Sequence, residues 1–461
     1  MPHALIAPVS DYSDTIAIRN FVKEALDLVA PIVEKLYALK SGLIVVKPNW
    51  VQESHENNSD IWEPVITHPA VLLAVIEELC ERLRGCTVCI CDAPNTYANF
   101  EKITARADFT AALEFLRARF PAMKLELLDL RREIWIVKEQ VIVERRPAPL
   151  DPRGYSRLDL ARESMFYRHH GQGRYYGADY DTSAVNSHHQ GDLQEYLLAG
   201  TPMACDLFIN VPKLKTHKKT GITCSLKNLV GINGDKNWLP HHTEGYPTKG
   251  GDEFPEQKFA NRMEGVVKSM GRRVALGIPG VGTWIFRKAR NAGKSILGDS
   301  EMTIRNGNWH GNDTCWRMAL DLNRALLYGN HDGTWGARRR GYLSIVDGII
   351  GGEGNGPLCP DPIQSRVLLC GTDPAIVDAV ACQLMGFLPE TVPLVANAFA
   401  EHRWSIATCA INDVRVFDRR INQDVALNAV SGAVLGGFQP HFGWKERLGS
   451  SGAAVVSARH A

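Results

Sequence analysis

The sequence predicts an α/β protein: a mostly parallel, Rossmann-like sheet flanked by helices, with two insertions. Three observations predict it. Short apolar runs alternate with segments of helical periodicity, the pattern of βαβ units. The runs are of the buried type, rich in Val, Ile, Leu and Cys. Each run hands over to ionisable residues rather than to turn formers.

Residues 1–144 form an N-terminal α/β part, with helical periodicity over 15–40 and a strand over 42–46 that ends at Lys47-Pro48-Asn49. A helix over 68–84 leads to a strand over 87–91 that ends at Asp92. A helix near 108–119 and a strand over 124–130 complete this part. Residues 145–204, rich in Arg, Tyr, His, Gly and Asp, break the alternation and read as an insertion or cap. Residues 205–232 bring a core strand, 206–211, and a Lys/His motif. A second insertion spans 233–312, with helical character around 256–270. Residues 313–420 form the C-terminal α/β part of the same domain: a helix over 314–328, strands over 343–346 and 367–370, a helix over 374–386 and a strand over 414–417. Residues 421–461 read as a tail, ending in a Gly-, Ser- and Ala-rich stretch.

Composition narrows the function. Of 461 residues, 45% are hydrophobic and 22% charged, ordinary values for a folded globular protein. With 52 basic and 51 acidic side chains the formal charge is +1, which argues against a general binder of nucleic acid or membrane surface. Met1 to Asp14 lack a basic and an apolar signal region, so no secretory signal is expected. No apolar run is long enough to span a bilayer. The nearest, 274–286, reads as a buried loop or short helix, with an interfacial membrane contact as the alternative. Eleven cysteines, an odd number and mostly inside apolar runs, fit reduced thiols in a cytoplasmic protein. Cys86, Cys89 and Cys91 fall in a strand and are expected to pack in the core.

The candidate site is read from the residues at which the strands end. Lys47 and Asn49, Asp92, the Lys213–His217 run, Asp347, and Thr372 with Asp373 each come directly after an apolar run. In open parallel sheets the carboxyl edge is where ligands bind. In Asn210-Val-Pro-Lys-Leu-Lys-Thr-His217, extended backbone sends Lys213, Lys215 and His217 to one side. Pro212 favours that extension. Lys227 and Asn228 come after a hydroxyl-bearing stretch. Lysines, hydroxyls and amides together suit phosphate or carboxylate. The expected substrate-binding set is Lys47, Asn49, Lys213, Lys227, Asn228 and Asp373. His217, Lys215, Asp92 and Asp347 are the expected catalytic set: His217 as general acid or base, an aspartate orienting it or holding a divalent ion.

A metal is left open. Asp92, Asp347, Glu353, Asp373, His217, His241 and His242 offer ligand atoms, but no local spacing matches a zinc motif. The pairs His169-His170, His188-His189 and His241-His242 read as exposed loops. The run Gly348 to Gly356 reads as a phosphate-cradling nest or a mobile lid. Thr67 reads as the N-cap of the helix it precedes.

These segments resemble the domain of unknown function 362 family of uncharacterised prokaryotic α/β proteins. The matching pieces are Val46-Lys-Pro-Asn49, Thr67-His-Pro69, Asp92-Ala-Pro94, Asn210 to His217, Leu226-Lys-Asn-Leu-Val-Gly231, Val346-Asp-Gly348 and Thr372-Asp-Pro-Ala375 with Asp378. The resemblance implies a mixed α/β domain and brings no settled reaction. Some relatives carry a ferredoxin-type module with four-iron clusters. This chain lacks that cysteine run, so such a cluster is not expected. A looser likeness, at fold level, is to the nickel-pincer lactate racemase group.

Three functions are compatible with this pattern, in order of preference. The first is a cytoplasmic enzyme, its reaction unnamed, acting on a phosphorylated or carboxylated small molecule. The second is an iron–sulfur or metal-dependent redox protein. The third is a non-catalytic ligand-binding module.

Overall fold

The computed structural model describes residues 2–138, 141–179, 181–256, 304–337 and 339–448. Eleven strands form one mixed sheet. In chain order they are β1 (Ala4–Pro8), β2 (Leu43–Pro48), β3 (Thr87–Asp92), β4 (Lys124–Asp129), β5 (Leu207–Val211), β6 (Lys213–His217), β7 (Gly221–Thr223), β8 (Gly341–Asn355), β9 (Cys359–Gly371), β10 (Arg415–Asp418) and β11 (Gln423–Ala426). Across the sheet the order is β11-β10-β1-β9-β8-β5-β2-β3-β4. The block β8-β5-β2-β3-β4 is wholly parallel, as the alternating pattern predicts. β6 continues β5 past Pro212 and pairs with β8 and β7.

The flanking helices are α1 (Thr15–Asp27), α2 (Ala30–Leu39), α3 (Pro69–Arg82), α4 (Phe109–Arg119), α5 (Ser225–Asn228), α6 (Cys315–Tyr328) and α7 (Pro374–Met385). The periodic stretch 15–40 is thus two helices, the second opening with Pro31 in its first turn, where a missing N–H costs nothing. Strand alternation sends Ile44, Val46, Val88, Ile90 and Ile209 to one face, against Phe21, Leu72, Ile76 and Leu113 of α1, α3 and α4. Val45, Cys89, Cys91 and Phe208 face the other way, toward Met318, Leu322, Val377 and Val380 of α6 and α7. Each such side chain contributes about 1.5–3 kcal/mol by leaving water. The sheet is therefore covered on both faces, and its carboxyl edge is where the strand-end polar residues gather.

Three expectations change. The sequence pattern puts Thr372-Asp373, at the end of β9, beside the other strand ends. β9 instead runs antiparallel to both β8 and β1, so Asp373 lies at the opposite edge of the sheet. The glycine run 348–356 is neither nest nor lid; through Asn355 it is strand, in a long hairpin with β9. Its glycines meet close neighbours: a Cβ at Gly352 would lie 2.9 Å from Pro64 O and 3.0 Å from Lys215 Cβ. The histidine pairs are not exposed loops, because one member of each is buried: His169, His189 and His242.

Within 145–204, Tyr155–Asp159, His189–Gln190 and Leu193–Ala199 form a small three-stranded sheet. Its Leu158, Tyr196 and Leu198 join the α6/α7 core. His242–Thr243 of the second insertion pairs with Tyr175–Tyr176 of the first. Gln423–Ala426, within the span read as a tail, is the edge strand β11. Residues 257–303 hold most of the helix expected around 256–270 and all of the 274–286 stretch; these lie outside the described residues. Among the described residues no helix is long and apolar enough to cross a membrane.

Candidate functional site

The carboxyl edge of the parallel block carries two buried ion pairs. At the end of β2 and β3, Lys47 Nζ lies 2.8 Å from Asp92 Oδ1. Lys47 also donates to Pro48 O at 2.9 Å and Asn228 Oδ1 at 3.2 Å. Asp92 accepts from the backbone N–H of Trp50 at 2.7 Å and of Ala93 at 2.8 Å. Burial pushes the Asp92 carboxyl above its ordinary pKa, and Lys47 opposes that push. Gly231 is pressed against the pair: a Cβ there would sit 1.9 Å from Asp92 Oδ1 and 2.6 Å from Lys47 Nζ. No side chain other than hydrogen fits.

One strand over, Lys213 Nζ lies 2.6 Å from Asp347 Oδ2 and 2.8 Å from Tyr12 OH. Asp347 also accepts from Tyr12 OH at 2.9 Å and His68 N at 2.8 Å. The His68 ring stacks on Tyr12 at 3.6 Å between centroids, and its Nδ1 accepts from Ala70 N at 3.0 Å. His68, not Thr67, therefore caps α3. Thr67 instead donates to Val211 O at 2.6 Å and accepts from Asn49 N at 2.7 Å, tying β2 to β5. Burial lowers the His68 pKa to about 4, despite the Asp347 charge.

The alternation expected of the 213–217 run holds, since Leu214 packs into the core on the other side. The three polar residues nonetheless have different surroundings. Lys213 is spent on Asp347. Lys215 Nζ donates to the carbonyls of Val65 and, at 3.4 Å, Pro357. Burial, then the Lys213 charge, holds Lys215 well below the ordinary ammonium pKa. His217 Nδ1 accepts from two backbone N–H groups, Lys219 at 3.0 Å and Thr220 at 3.2 Å. Backbone N–H groups only donate, so Nδ1 is a lone pair and the neutral ring carries its hydrogen on Nε2. Burial, then Lys227, Lys218, Lys219 and Lys215, lower the His217 pKa well below its ordinary value. The side chain is thus held as a neutral Nε2–H donor.

Lys227 is the centre of this group. It is 8% exposed, and among the described residues its ammonium has neither a hydrogen bond nor an ion pair. Among charged neighbours it acts most strongly on both His217 and His241. It also acts on Lys215, Lys219 and Lys236. Burial, then the like charges, lowers Lys236 to about 7, although Asp92 opposes this. Burial lowers Lys219 to about 8. Lys227 is placed by a short helix whose start is fixed from outside. Asp378 of α7 accepts from Ser225 N at 2.7 Å and Leu226 N at 3.1 Å. Asn228 bridges Asn210, at 2.7 Å, and Asn49, at 3.0 Å.

The structure therefore brings Lys47, Asn49, Asp92, Lys213, Lys215, His217, Lys227, Asn228 and Asp347 to one edge, and leaves out Asp373. Asp373 caps α7 through Ala375 N at 2.9 Å and Ile376 N at 3.2 Å, and also accepts from Thr408 N at 2.7 Å. It lines a cavity of about 200 Å³ with His3 and Thr372. Sequence reasoning missed Tyr12, His68, Lys219, Gly231 and Lys236 as parts of this edge, and offered His241 only as a metal ligand. Of these only His68 and Gly231 had a local signal, each lying inside a family-like piece, Thr67-His-Pro69 and Leu226 to Gly231. The potential metal ligands that come together among the described residues are His169, His170 and Asp313, none of them in the expected set; Arg317 already holds Asp313 at 3.0 Å.

Fold and site define an α/β protein with a buried lysine- and histidine-rich site at the carboxyl edge of a largely parallel sheet. Residues 163–383 match the family model described as Domain of unknown function (DUF362), which bears out over that span the resemblance read from the motifs. The matched span holds β5 to β9, α5, α6 and most of α7. The Lys47–Asn49 and Asp92 contributions precede it. A comparison with curated proteins gives no match.

Proposed function

We propose that the chain is an enzyme, of a reaction not yet assigned, that binds an anionic small molecule through Lys227, Lys215 and the His217 Nε2–H. Phosphate or carboxylate is the group bound. The Lys47–Asp92 and Lys213–Asp347 pairs shape the site and are internally neutral. The supporting observation is Lys227, a lysine 8% exposed whose ammonium has no hydrogen bond or ion pair among the described residues, set among other lysines. Burying one charge without a partner costs several kcal/mol, and an anion beside it offsets that cost. Buried groups with strongly shifted titration are also typical of catalytic centres. His217 would then polarise an oxygen as a neutral donor. The chain's eleven unpaired thiols, nine of them buried, suit a reducing cytoplasm.

The test is a thermal-shift panel of phosphate, sulfate and acetate on the full chain and on Lys227→Met, with native mass spectrometry for a retained ligand. Anions that raise the melting temperature of the parent chain alone support the reading. Equal shifts in both proteins, or none in either, refute it.

A further inference from the structure

We infer that Trp444, in the span read as a tail, is a positioning residue for His217: its indole N–H sets the peptide that fixes the imidazole as an Nε2–H donor. This rests on the reading of His217 as a neutral donor and adds a residue to it.

The link runs through one peptide unit. Trp444 Nε1 donates to Lys218 O at 2.9 Å. The other end of that peptide is the Lys219 N–H, which donates to His217 Nδ1 at 3.0 Å. A carbonyl that accepts a hydrogen bond polarises its own peptide and makes the N–H a better donor. The indole also holds the carbonyl to one side, so the N–H stays aimed at the imidazole. Lys218 N donates to Gly356 O at 3.0 Å, which pins the preceding peptide. Thr220 N supplies the second donor to Nδ1, at 3.2 Å. His217 therefore takes its tautomer from the turn after β6, and the turn takes its orientation from Trp444.

Trp444 is itself firmly placed. It is 1% exposed. Gly221, at φ +82°, lies against its ring, and a Cβ there would sit 3.1 Å from it. Two other parts of the chain hold the segment that carries Trp444. Gly443 O accepts from His310 N at 3.0 Å, and a Cβ on Gly443 would run into Asn308 O. Gln439 O accepts from Gly354 N at 2.8 Å, and Gln439 N donates to Glu353 Oε2 at 2.7 Å. Glu353, which the sequence offers as a metal ligand, thus clamps this segment to β8. A buried indole N–H needs an acceptor in any case. Here the acceptor is the one carbonyl whose peptide serves His217, so a positioning role and a packing role differ in what they do to the imidazole.

Nitrogen-15 spectra of the histidine-labelled full chain separate the two roles, with the His217 ring assigned by its loss in His217→Asn. Trp444→Phe keeps a ring in place and removes the N–H. Should that variant fail to fold, benzothienylalanine at the same position keeps the indole shape with sulfur in place of the N–H. Trp335→Phe is the control, because it loses an equivalent bond, to Asp159 O at 2.9 Å, elsewhere in the chain. In the parent chain and in Trp335→Phe, His217 should hold the Nε2–H tautomer. Without the Trp444 N–H, the preference for that tautomer should fall about threefold or more. If the tautomer is unchanged without the Trp444 N–H, or shifts equally in Trp335→Phe, the inference is overturned and the donor reading of His217 stands. If the parent chain itself lacks the Nε2–H tautomer, both fall.

Discussion

Lys213 Nζ lies 2.6 Å from Asp347 Oδ2, and neither side chain has exposed surface. Tyr12 and His68 close the arrangement, so one buried pair joins the segment before α1, the start of α3 and two strands. Removing one member leaves a buried charge unpaired. Asp347→Asn is expected to cost about 3–5 kcal/mol in urea unfolding. The double change Lys213→Met with Asp347→Leu should recover a substantial part, because no charge is then stranded. Equal loss in single and double variants would contradict this.

Gly231→Ala should act on the other pair. The added methyl has no room beside Asp92 Oδ1 and Lys47 Nζ. Overpacking of this kind costs about 1–3 kcal/mol. Unfolding measurements on the variant, with the exposed Gly432→Ala for comparison, check the size. A neutral Gly231→Ala would show that the pair can move apart freely.

His217 should remain neutral with its hydrogen on Nε2 through the physiological range. Protonation would turn Nδ1 into a donor facing two other donors. Nitrogen-15 spectra of histidine-labelled protein, with the His217 ring assigned by its loss in His217→Asn, should show that ring fixed in this tautomer from about pH 5 to 8, where an ordinary histidine titrates. If every ring titrates near its ordinary value, the site geometry is different.

Anion binding should take up protons near neutral pH. In the free protein Lys236 titrates at about 7 and Lys219 at about 8. Both are therefore partly deprotonated just above neutrality. A bound anion favours their charged forms and raises both values, so protons enter with the ligand. Titrations in buffers of different ionisation enthalpy should give different apparent heats, with uptake largest between about pH 7 and 9. Identical heats in all buffers would count against the lysines facing the anion.

Much of the edge was legible because its chemistry is local. Lys213, Lys215 and His217 alternate along one extended segment, and Lys227 and Asn228 lie close behind it. Lys47 and Asp92 directly end apolar strands. What escaped depends on distant partners. Nothing near Lys213 signals that its charge is cancelled by Asp347, or that Tyr12, some 200 residues earlier, completes the bond. Asp378 fixes the start of α5 from 153 residues away. Asp373 was misplaced for a topological reason. A strand's apolar pattern does not reveal its direction, and the glycines of β8 look like a loop until the neighbours that exclude side chains are known. The Nε2–H tautomer of His217 was likewise hidden, since it is imposed by two backbone groups rather than by a side chain.

The central claim is that an anion sits against Lys227 and His217. Crystals soaked in tungstate, a doubly charged tetrahedral anion, give an anomalous signal that locates it directly. The account predicts a peak within hydrogen-bond reach of Lys227 Nζ and His217 Nε2 in the parent chain, and its loss in Lys227→Met. Peaks found only at exposed surface lysines, or an unchanged peak in the variant, would contradict it.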